Sequence, residues 1–338
     1  MYKTIRADES WLPPEIALDT ERGRDIGDDF ARLGMHLPES AEEAVREGYT
    51  AGLHRYGART APSTIWDRKL VRLRYSAWRR NRVVDPSLTP DYIRSIQVTH
   101  CPITRQELTF GTGQGSDATI DRVFNAGAYS PGNLVVMSAK SNFAKANRLP
   151  DEIYEIAQRG SPFAGLEPIE WRRIASLASS AAPPGTTQYG FVPLLVMPPR
   201  DLILANMCIV VQVALSVIAG GFVNPRHLAP LAAAAGSGKR VQQGIRKFMH
   251  VLSVRINHHL AVHAQSPVIW WGIEDAWAEA PLWDAFIRLM NDFDRDALIR
   301  MTAASSKVGK CVQRRPGNAH DSWALDTGGY VREESVHV

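Results

Sequence analysis

The segment VTHCPITRQELTFGTGQGSDATIDRVFNAGAYSPGNLVVMSAKSNFAKANR, residues 98–148, has a pattern that predicts a small α+β module. Apolar residues on both sides of Asp121-Arg122 predict a first strand, and the apolar run 134–137 predicts a second strand after the turn-rich AGAYSPG. Ser138 stands at the N-cap position of AKSNFAKANR, which has the composition of a short helix. The predicted order is strand, strand, helix.

Four short motifs in this segment resemble the ββα-metal core of the HNH, or His-Me finger, nucleases. The closest resemblance is to a phage and bacterial subgroup with the motifs Cys-Pro-x-Thr, Asp-Arg-(Ile/Val), Gly-x-Tyr-x-x-Gly-Asn and Asn-x-x-Lys. The matching positions are Cys101, Pro102, Thr104, Asp121, Arg122, Val123, Gly127, Tyr129, Gly132, Asn133, Asn142 and Lys145. The resemblance is strong over residues 98–148 and does not extend to the last half of the chain.

This resemblance implies metal-dependent cleavage of a phosphodiester. The reaction needs an activated water and a divalent cation that neutralises charge on the phosphate. Carboxylate and amide oxygens suit Mg²⁺ or Mn²⁺, and the family position of the metal ligands falls on Asp121 and Asn142. Asn133 matches the residue that orients the general base in the family.

Arg122 occupies the position at which the family has its general-base histidine. A guanidinium does not lose its proton in a protein, so it cannot accept one from water and could only bind phosphate or stabilise charge. A general base typically contributes about 10²–10⁴-fold, so the site would be slow or would use another base, for which His100 is the nearest histidine in sequence. Three outcomes stay open: the module cuts nucleic acid, only binds it, or keeps only the fold.

The cysteines predict neither a structural zinc site nor a disulfide framework. Many relatives of the fold hold zinc with two Cys-x-x-Cys pairs, but Thr104 stands where Cys101 would have its partner. The other cysteines, Cys208 and Cys311, are far away in sequence, and the total of three is odd. We therefore expect a reducing, cytoplasmic environment, and the N-terminal MYKTIRADESW lacks the apolar core of a cleavable signal peptide.

Length and composition predict a multidomain globular protein. The chain has 338 residues, of which 45% are hydrophobic and 22% charged, and a net charge of +4. The expected regions are an acidic helical region (1–60), a basic helical segment (61–97), the HNH-like module (98–160), a helix and proline-rich linker (161–200), an all-α domain (201–304) and a flexible tail (305–338). The glycine-rich FGTGQGSD, residues 110–117, fits neither a Rossmann turn nor a P-loop and is expected to be a flexible connection.

Positive charge is concentrated just before the module and predicts a DNA partner, either duplex or branched. Residues 66–82 contain seven Lys or Arg and one acid, whereas residues 1–50 contain twelve acids and six bases. The acidic region could dock on the basic segment or could screen it by mimicking DNA. The expected nucleic-acid contacts are Arg68, Lys69, Arg72, Arg74, Arg79 and Arg80, with Arg122, Lys140, Lys145 and Arg148 from the module.

The C-terminal half predicts a helical domain for assembly or partner recognition, including self-association. Residues 202–225 contain no charged side chain and are long enough to span a bilayer, which leaves a membrane-associated effector as a further class. We consider membrane association unlikely because the following helices have apolar stripes that need a buried central helix as partner. His259 and His263 are four residues apart on a helix, but packed or capped histidines are the favoured interpretation over a shared metal.

Overall fold

The computed structural model describes residues 19–57, 61–125, 127–131, 133–181, 207–266 and 271–313. These residues fall into two compact units, 19–94 and 95–313. Membership of the α+β class is confirmed, because one two-stranded antiparallel sheet lies among helices. Residues 182–200 of the expected helix and proline-rich linker lie outside the described residues.

The first unit is helical. Its helices are α1 (Thr20–Arg32), α2 (Glu43–Tyr56), α3 (Ile65–Arg79) and α4 (Pro90–Ser95). The backbones of α1 and α2 touch at glycines: a Cβ on Gly27 would lie 2.0 Å from the Val45 carbonyl oxygen, and one on Gly48 would lie 1.9 Å from the Arg24 carbonyl oxygen. Only a residue without a side chain permits this approach. The helical hairpin therefore depends on glycine at both positions.

The acidic helices dock on the basic helix within this unit. Asp29 of α1 forms an ion pair with Arg74, and Glu42, just before α2, accepts a hydrogen bond from Arg79 Nε at 2.6 Å. The Tyr75 hydroxyl donates to the same Glu42 carboxylate at 2.9 Å. The docking interpretation of the acidic region is thereby confirmed, and two of the arginines expected to bind nucleic acid already have carboxylate partners.

The second unit begins with the predicted module. It contains β1 (Ala118–Arg122), β2 (Leu134–Ser138), α5 (Ala139–Lys145), α6 (Pro150–Arg159), α7 (Pro168–Ala181), α8 (Met207–Ala219), a 3-10 turn (Pro225–His227), α9 (Leu228–Ala235), α10 (Lys239–Val262), α11 (Trp271–Trp277), α12 (Ala280–Asn291) and α13 (Arg295–Gln313). The strands are antiparallel, with Asp121 opposite Val135. The Ser138 hydroxyl accepts a hydrogen bond from Ser141 N at 3.2 Å, so the order strand, strand, helix and the N-cap are confirmed.

The glycine-rich loop before β1 is folded around Asp117, so the prediction of a flexible connection is wrong. One carboxylate oxygen of Asp117 accepts from the hydroxyls of Thr109 and Thr112, both at 2.7 Å, and the other accepts from Gly113 N at 2.7 Å. These hydrogen bonds lower the pKa of Asp117 to about 2. The loop is also tied to α5, because Lys140 N donates to the Gly115 carbonyl at 2.8 Å.

The C-terminal helices form a bundle around α8, as the apolar stripes predict. Phe248 and Trp277 pack in its core, and the Trp277 indole donates to the Ser216 hydroxyl of α8 at 2.7 Å. Within the described ranges, no helix has the length and apolar character needed to cross a bilayer. Residues 305–313 belong to α13, with Ser305 and Val308 buried, so the prediction of a flexible tail is wrong for this part, and the rest of the expected tail lies outside the described residues.

Candidate functional site

The first strand and the helix after it bring four polar side chains to one side of the module. Alternation along a strand places Thr119 and Asp121 on the same side of β1, and a spacing of three residues places Asn142 and Lys145 on one side of α5. Asn142 Nδ2 donates to the Thr119 hydroxyl at 3.1 Å, and Lys145 Nζ lies 2.9 Å from Asp121 Oδ2. Of the positions matched to the family motifs, Asp121 and Lys145 are therefore in contact across the β1–α5 interface, whereas Asn142 contacts Thr119, which matches no motif.

Lys145 is enclosed at this interface and is not accessible to a phosphate on the surface. Its ammonium contacts the Asp121 carboxylate and donates to the Arg122 carbonyl and to Asn125 Oδ1, both at 2.8 Å. The two hydrogen bonds use two of the three N–H groups of the ammonium, and Asp121 Oδ2 is an ion-pair partner that accepts no hydrogen bond from the described residues. The side chain is only 1% exposed. We therefore do not find Lys145 on the surface where the sequence predicts a nucleic-acid contact.

The residues around Asp121 do not fit a divalent cation as they are arranged. The Asp121 carboxylate is buried against the positive charge of Lys145, and the Asn142 amide is directed at Thr119 instead of at Asp121. A metal ion at Asp121 would bring a second cation to a carboxylate that is already neutralised. Among the described residues, no group of three or more His, Cys, Asp and Glu could hold a metal ion.

Arg122 is buried on the other side of the strand. Its guanidinium donates to the Gly127 carbonyl at 2.9 Å and lies over the Tyr129 ring, 5.1 Å from the ring centroid. The side chain is 3% exposed, so Arg122 is not available to a phosphate on the surface. At the position that matches the proton-accepting histidine of the family, this chain therefore has a buried arginine, which is hydrogen-bonded to the loop after β1.

Asn133 is buried and holds the same loop. Its Nδ2 donates to the carbonyls of Phe124 and Ala128 at 3.0 and 2.9 Å, and its Oδ1 accepts from Phe124 N at 2.8 Å. Three hydrogen bonds to backbone groups fix the chain between the strands. Asn133 therefore orients backbone in this structure, whereas the family resemblance implies that it orients a histidine.

His100 contacts the helical bundle. Its Nδ1 lies 2.9 Å from the Thr99 hydroxyl, and its ring packs edge-on against Trp271 of α11 at a centroid distance of 5.7 Å. None of its described contacts is with Asp121 or Lys145. The structure thus gives His100 no geometry for deprotonating a water at Asp121.

The remaining predicted contacts divide into exposed and packed cations. Lys140 is exposed, whereas Arg148 packs over the rings of Phe163 and Trp171 at 5.2 and 5.7 Å. On α3, Lys69 is half-buried, 4.8 Å from the centroid of the Trp66 ring, and burial lowers its pKa. The exposed cations of α3 and its C-cap are Arg68, Arg72, Arg79 and Arg80.

A hydroxyl and thiol cluster lies below the hairpin and was not predicted. Buried Cys101 Sγ accepts from Thr104 N at 3.4 Å and from Ser138 N at 3.3 Å, and it lies 3.5 Å from Ser141 Oγ. Burial alone would raise the pKa of Cys101, but hydrogen bonds from Ser138, Ser141 and Thr104 outweigh it and lower the pKa. Two pairs with the same spacing, Cys-x-x-Thr and Ser-x-x-Ser, thus converge, and the second pair is the feature that sequence reasoning missed.

A buried ion network joins the module to the helical bundle and was also missed. Arg105 donates to Glu274 at 2.6 Å and to Asp275 at 3.1 Å, and Arg173 binds Asp275 through two hydrogen bonds of 2.9 and 2.7 Å. Arg173 Nη1 also donates to the Ile103 carbonyl at 2.6 Å. Arg105 and Asp275 are 170 residues apart in the chain, so no local pattern marks them as partners.

The pKa values of the two carboxylates in this network are shifted in opposite directions. Burial would raise the pKa of Asp275, but the hydrogen bonds from Arg173 and the charges of both arginines outweigh it and lower the pKa to about 2. For Glu274 burial dominates over the opposing effect of Arg105, and its pKa is raised. At neutral pH, Asp275 is therefore the firmly ionised partner of both guanidiniums.

The two histidines four residues apart each have their own carboxylate. His259 Nε2 lies 2.7 Å from Glu279 Oε1, and His263 Nε2 lies 2.9 Å from Asp275 Oδ2. Packed or capped histidines were predicted, and the structure instead gives each imidazole a separate carboxylate partner that is distant in sequence.

Comparison with known proteins identified no relative of this chain. No protein-family model, curated protein or solved structure matches the chain. Three features of the chain itself bear on its chemistry: a neutralised carboxylate, a buried arginine in place of a base, and exposed cations on α3 and at Lys140.

Proposed function

We propose that this chain is a nucleic-acid-binding protein whose HNH-like ββα module no longer hydrolyses phosphodiesters. The observation that supports the loss of hydrolysis is the ion pair between Lys145 and Asp121. The Lys145 ammonium, which donates two hydrogen bonds and is ion-paired with Asp121, lies beside the carboxylate that the family resemblance assigns to a metal ion. In this proposal the module has a structural role within its unit and no catalytic one.

Binding is proposed at the outer face of α3. Arg68 and Arg72 are exposed one turn apart on the side of α3 opposite to buried Ala77, and Arg80, the C-cap residue, is exposed just after the helix. Arg68 and Arg72 have no acidic partner among the described residues, in contrast to Arg74 and Arg79, which bind Asp29 and Glu42. Exposed guanidiniums on one helix face are suited to phosphates because each presents several donors in a fixed geometry. DNA, duplex or branched, is the proposed partner.

The test of binding is the salt dependence of DNA affinity. Fluorescence anisotropy with labelled duplex and four-way junction DNA would compare the wild type with the Arg68→Gln/Arg72→Gln/Arg80→Gln variant. Loss of three phosphate contacts reduces the slope of log K against log salt by about 3. The matched control is Arg22→Gln/Arg24→Gln/Arg55→Gln, which removes three exposed cations of the same unit from α1 and α2. Equal slopes in the variant and the control would reject binding through α3.

A second candidate is a Mg²⁺- or Mn²⁺-dependent endonuclease that Lys145 holds inactive. It is favoured by the oxygen donors of Thr119, Asp121 and Asn142 on one side of the module. A plasmid-nicking assay with either ion would compare Lys145→Gln, Arg122→His and Lys145→Gln/Asp121→Asn. Our proposal expects no nicking by any variant. Metal-dependent nicking by Lys145→Gln that disappears in Lys145→Gln/Asp121→Asn would establish the endonuclease instead, and nicking by Arg122→His would likewise contradict the proposal.

A further inference from the structure

The long helix α10 is more one-sidedly basic than its neighbours. Its 24 residues, KRVQQGIRKFMHVLSVRINHHLAV, include five Lys or Arg and three His but no Asp or Glu. Its apolar side is buried in the bundle through Ile245, Phe248, Leu252 and Ile256. The opposite side faces solvent and carries the charge.

Four basic side chains lie along the first three turns of this outward side. Lys239, Arg246, Lys247 and His250 are exposed, with exposed Gln243 between them. A rise of about 1.5 Å per residue separates Lys239 from His250 by about 16 Å along the helix axis. That length matches a few consecutive phosphates of a nucleic-acid strand.

The positive charge of this surface is not paired with acids among the residues that the structure describes. Lys239, Arg246 and Lys247 form no ion pair with any described residue, whereas Arg240 lies 3.5 Å from Asp292 and Arg255 lies 3.2 Å from Glu279. On one flank lies α9, whose sequence LAPLAAAA is uncharged. The contrast with α3 is direct, since acids of the first unit bind two of the arginines there.

We infer that the outward side of α10, through Lys239, Arg246, Lys247 and His250, binds the phosphate backbone of nucleic acid. The inference rests on the proposed function and adds a contact surface in the second unit. A lipid surface is the less suitable polyanion, because a helix that binds a bilayer inserts its apolar side, and that side of α10 is already packed in the bundle. Contacts of this kind read the backbone charge and carry no base sequence.

The experiment measures DNA affinity of the full-length Lys239→Gln/Arg246→Gln/Lys247→Gln variant over a series of salt concentrations. Three lost phosphate contacts should reduce the slope of log K against log salt by about 3 for duplex DNA. The matched control is Arg159→Gln/Arg255→Gln/Arg295→Gln, which removes the same charge from other exposed positions of this unit. Circular dichroism melting of both variants verifies that the bundle is intact.

The outcomes separate this inference from the proposed function. If the α3 variant loses slope and the α10 variant matches its control, the inference is overturned and the proposed function stands. If only the α10 variant loses slope, the inference holds and binding through α3 is rejected. If the wild type does not bind DNA, both fail. Sedimentation with phosphatidylserine vesicles completes the test: loss of vesicle binding by the α10 variant without loss of DNA affinity would overturn the inference in favour of a lipid surface.

Discussion

Lys145 Nζ lies 2.9 Å from Asp121 Oδ2, and the two side chains are 1% and 10% exposed. A buried charge left without its partner destabilises a protein by about 3–5 kcal/mol. Replacement of either residue alone is therefore expected to destabilise the protein, because it leaves the other residue charged and enclosed.

The first prediction is that Lys145→Met lowers the free energy of unfolding by about 3–5 kcal/mol. Asp121→Asn/Lys145→Met should cost less than the sum of the two single variants, with a coupling free energy of about 1–3 kcal/mol. Urea unfolding monitored by tryptophan fluorescence gives the four free energies. Lys140→Met, an exposed position on the same helix, is the control and should change stability little. Additive single-variant effects would contradict the pairing.

The second prediction concerns the glycines at the contact of α1 and α2. Gly27→Ala would place a Cβ 2.0 Å from the Val45 carbonyl oxygen, so the helices must separate. Overpacking of this kind typically costs about 1–3 kcal/mol or more, and the melting temperature of the first unit should fall. Gly238→Ala is the control, because a Cβ there has no atom within 4 Å and the backbone φ is −62°. An unchanged melting temperature for Gly27→Ala would show that the helices do not touch in solution.

The third prediction is an acid-dependent loss of stability through Asp275. Its pKa is about 2 in the folded protein, against about 3.9 for an unperturbed Asp. Between these values the unfolded chain binds a proton that the folded chain does not, so the free energy of unfolding falls as the pH is lowered from 4 towards 2, by about 2 kcal/mol in total. Asp275→Asn should flatten this part of the profile.

The control for the acid profile is Asp284→Asn, at an exposed position of α12, which should leave the slope below pH 4 unchanged. Glu274 acts in the opposite sense: its pKa is raised, so its contribution is largest in acid and declines as the pH rises through its folded pKa. Glu274→Gln should therefore remove a decline in stability above pH 4.5. Urea unfolding at a series of pH values measures both effects, and parallel profiles for all variants would refute the assignment.

The fourth prediction uses the cluster around Cys101. The Ser138 and Ser141 hydroxyl oxygens are 3.0 Å apart, and Ser141 Oγ is 3.5 Å from Cys101 Sγ. Thr104→Cys/Ser138→Cys/Ser141→Cys would place four thiolates around one point, which is the ligand set of a structural zinc site. The purified variant should contain one zinc per chain and bind Co²⁺ with a tetrahedral thiolate spectrum. Addition of Cys101→Ser should weaken binding strongly, and a variant without zinc would show that the four side chains do not converge.

The parts of the fold that could be predicted from the sequence are those set by neighbouring residues. The strand pattern around Asp121 and the N-cap at Ser138 depend on short-range geometry, so the order of β1, β2 and α5 was predicted correctly. The loop at Asp117 was not, because glycines indicate conformational freedom but do not reveal a carboxylate that will order them.

The candidate site was harder to predict because residue identity does not fix burial. Arg122 and Lys145 match family motifs, yet their roles depend on the Gly127 carbonyl and on Asn125, which the folded loop supplies. The positive side of α10 was missed for a different reason. Its charges alternate with core residues along the sequence, so they stand out only when the helix shows which side is covered.

The ion network of Arg105, Arg173 and Asp275 determines how this chain can be divided in the laboratory. The ββα module has the length of a domain that one would express by itself, but a fragment that ends after α7 would lack Asp275 of α11, the carboxylate partner of both guanidiniums. We expect such a fragment to be insoluble or only partly folded. Residues 95–313 should instead unfold in one cooperative step. The helical bundle and the β-hairpin should therefore be expressed and mutated together, as one folding unit.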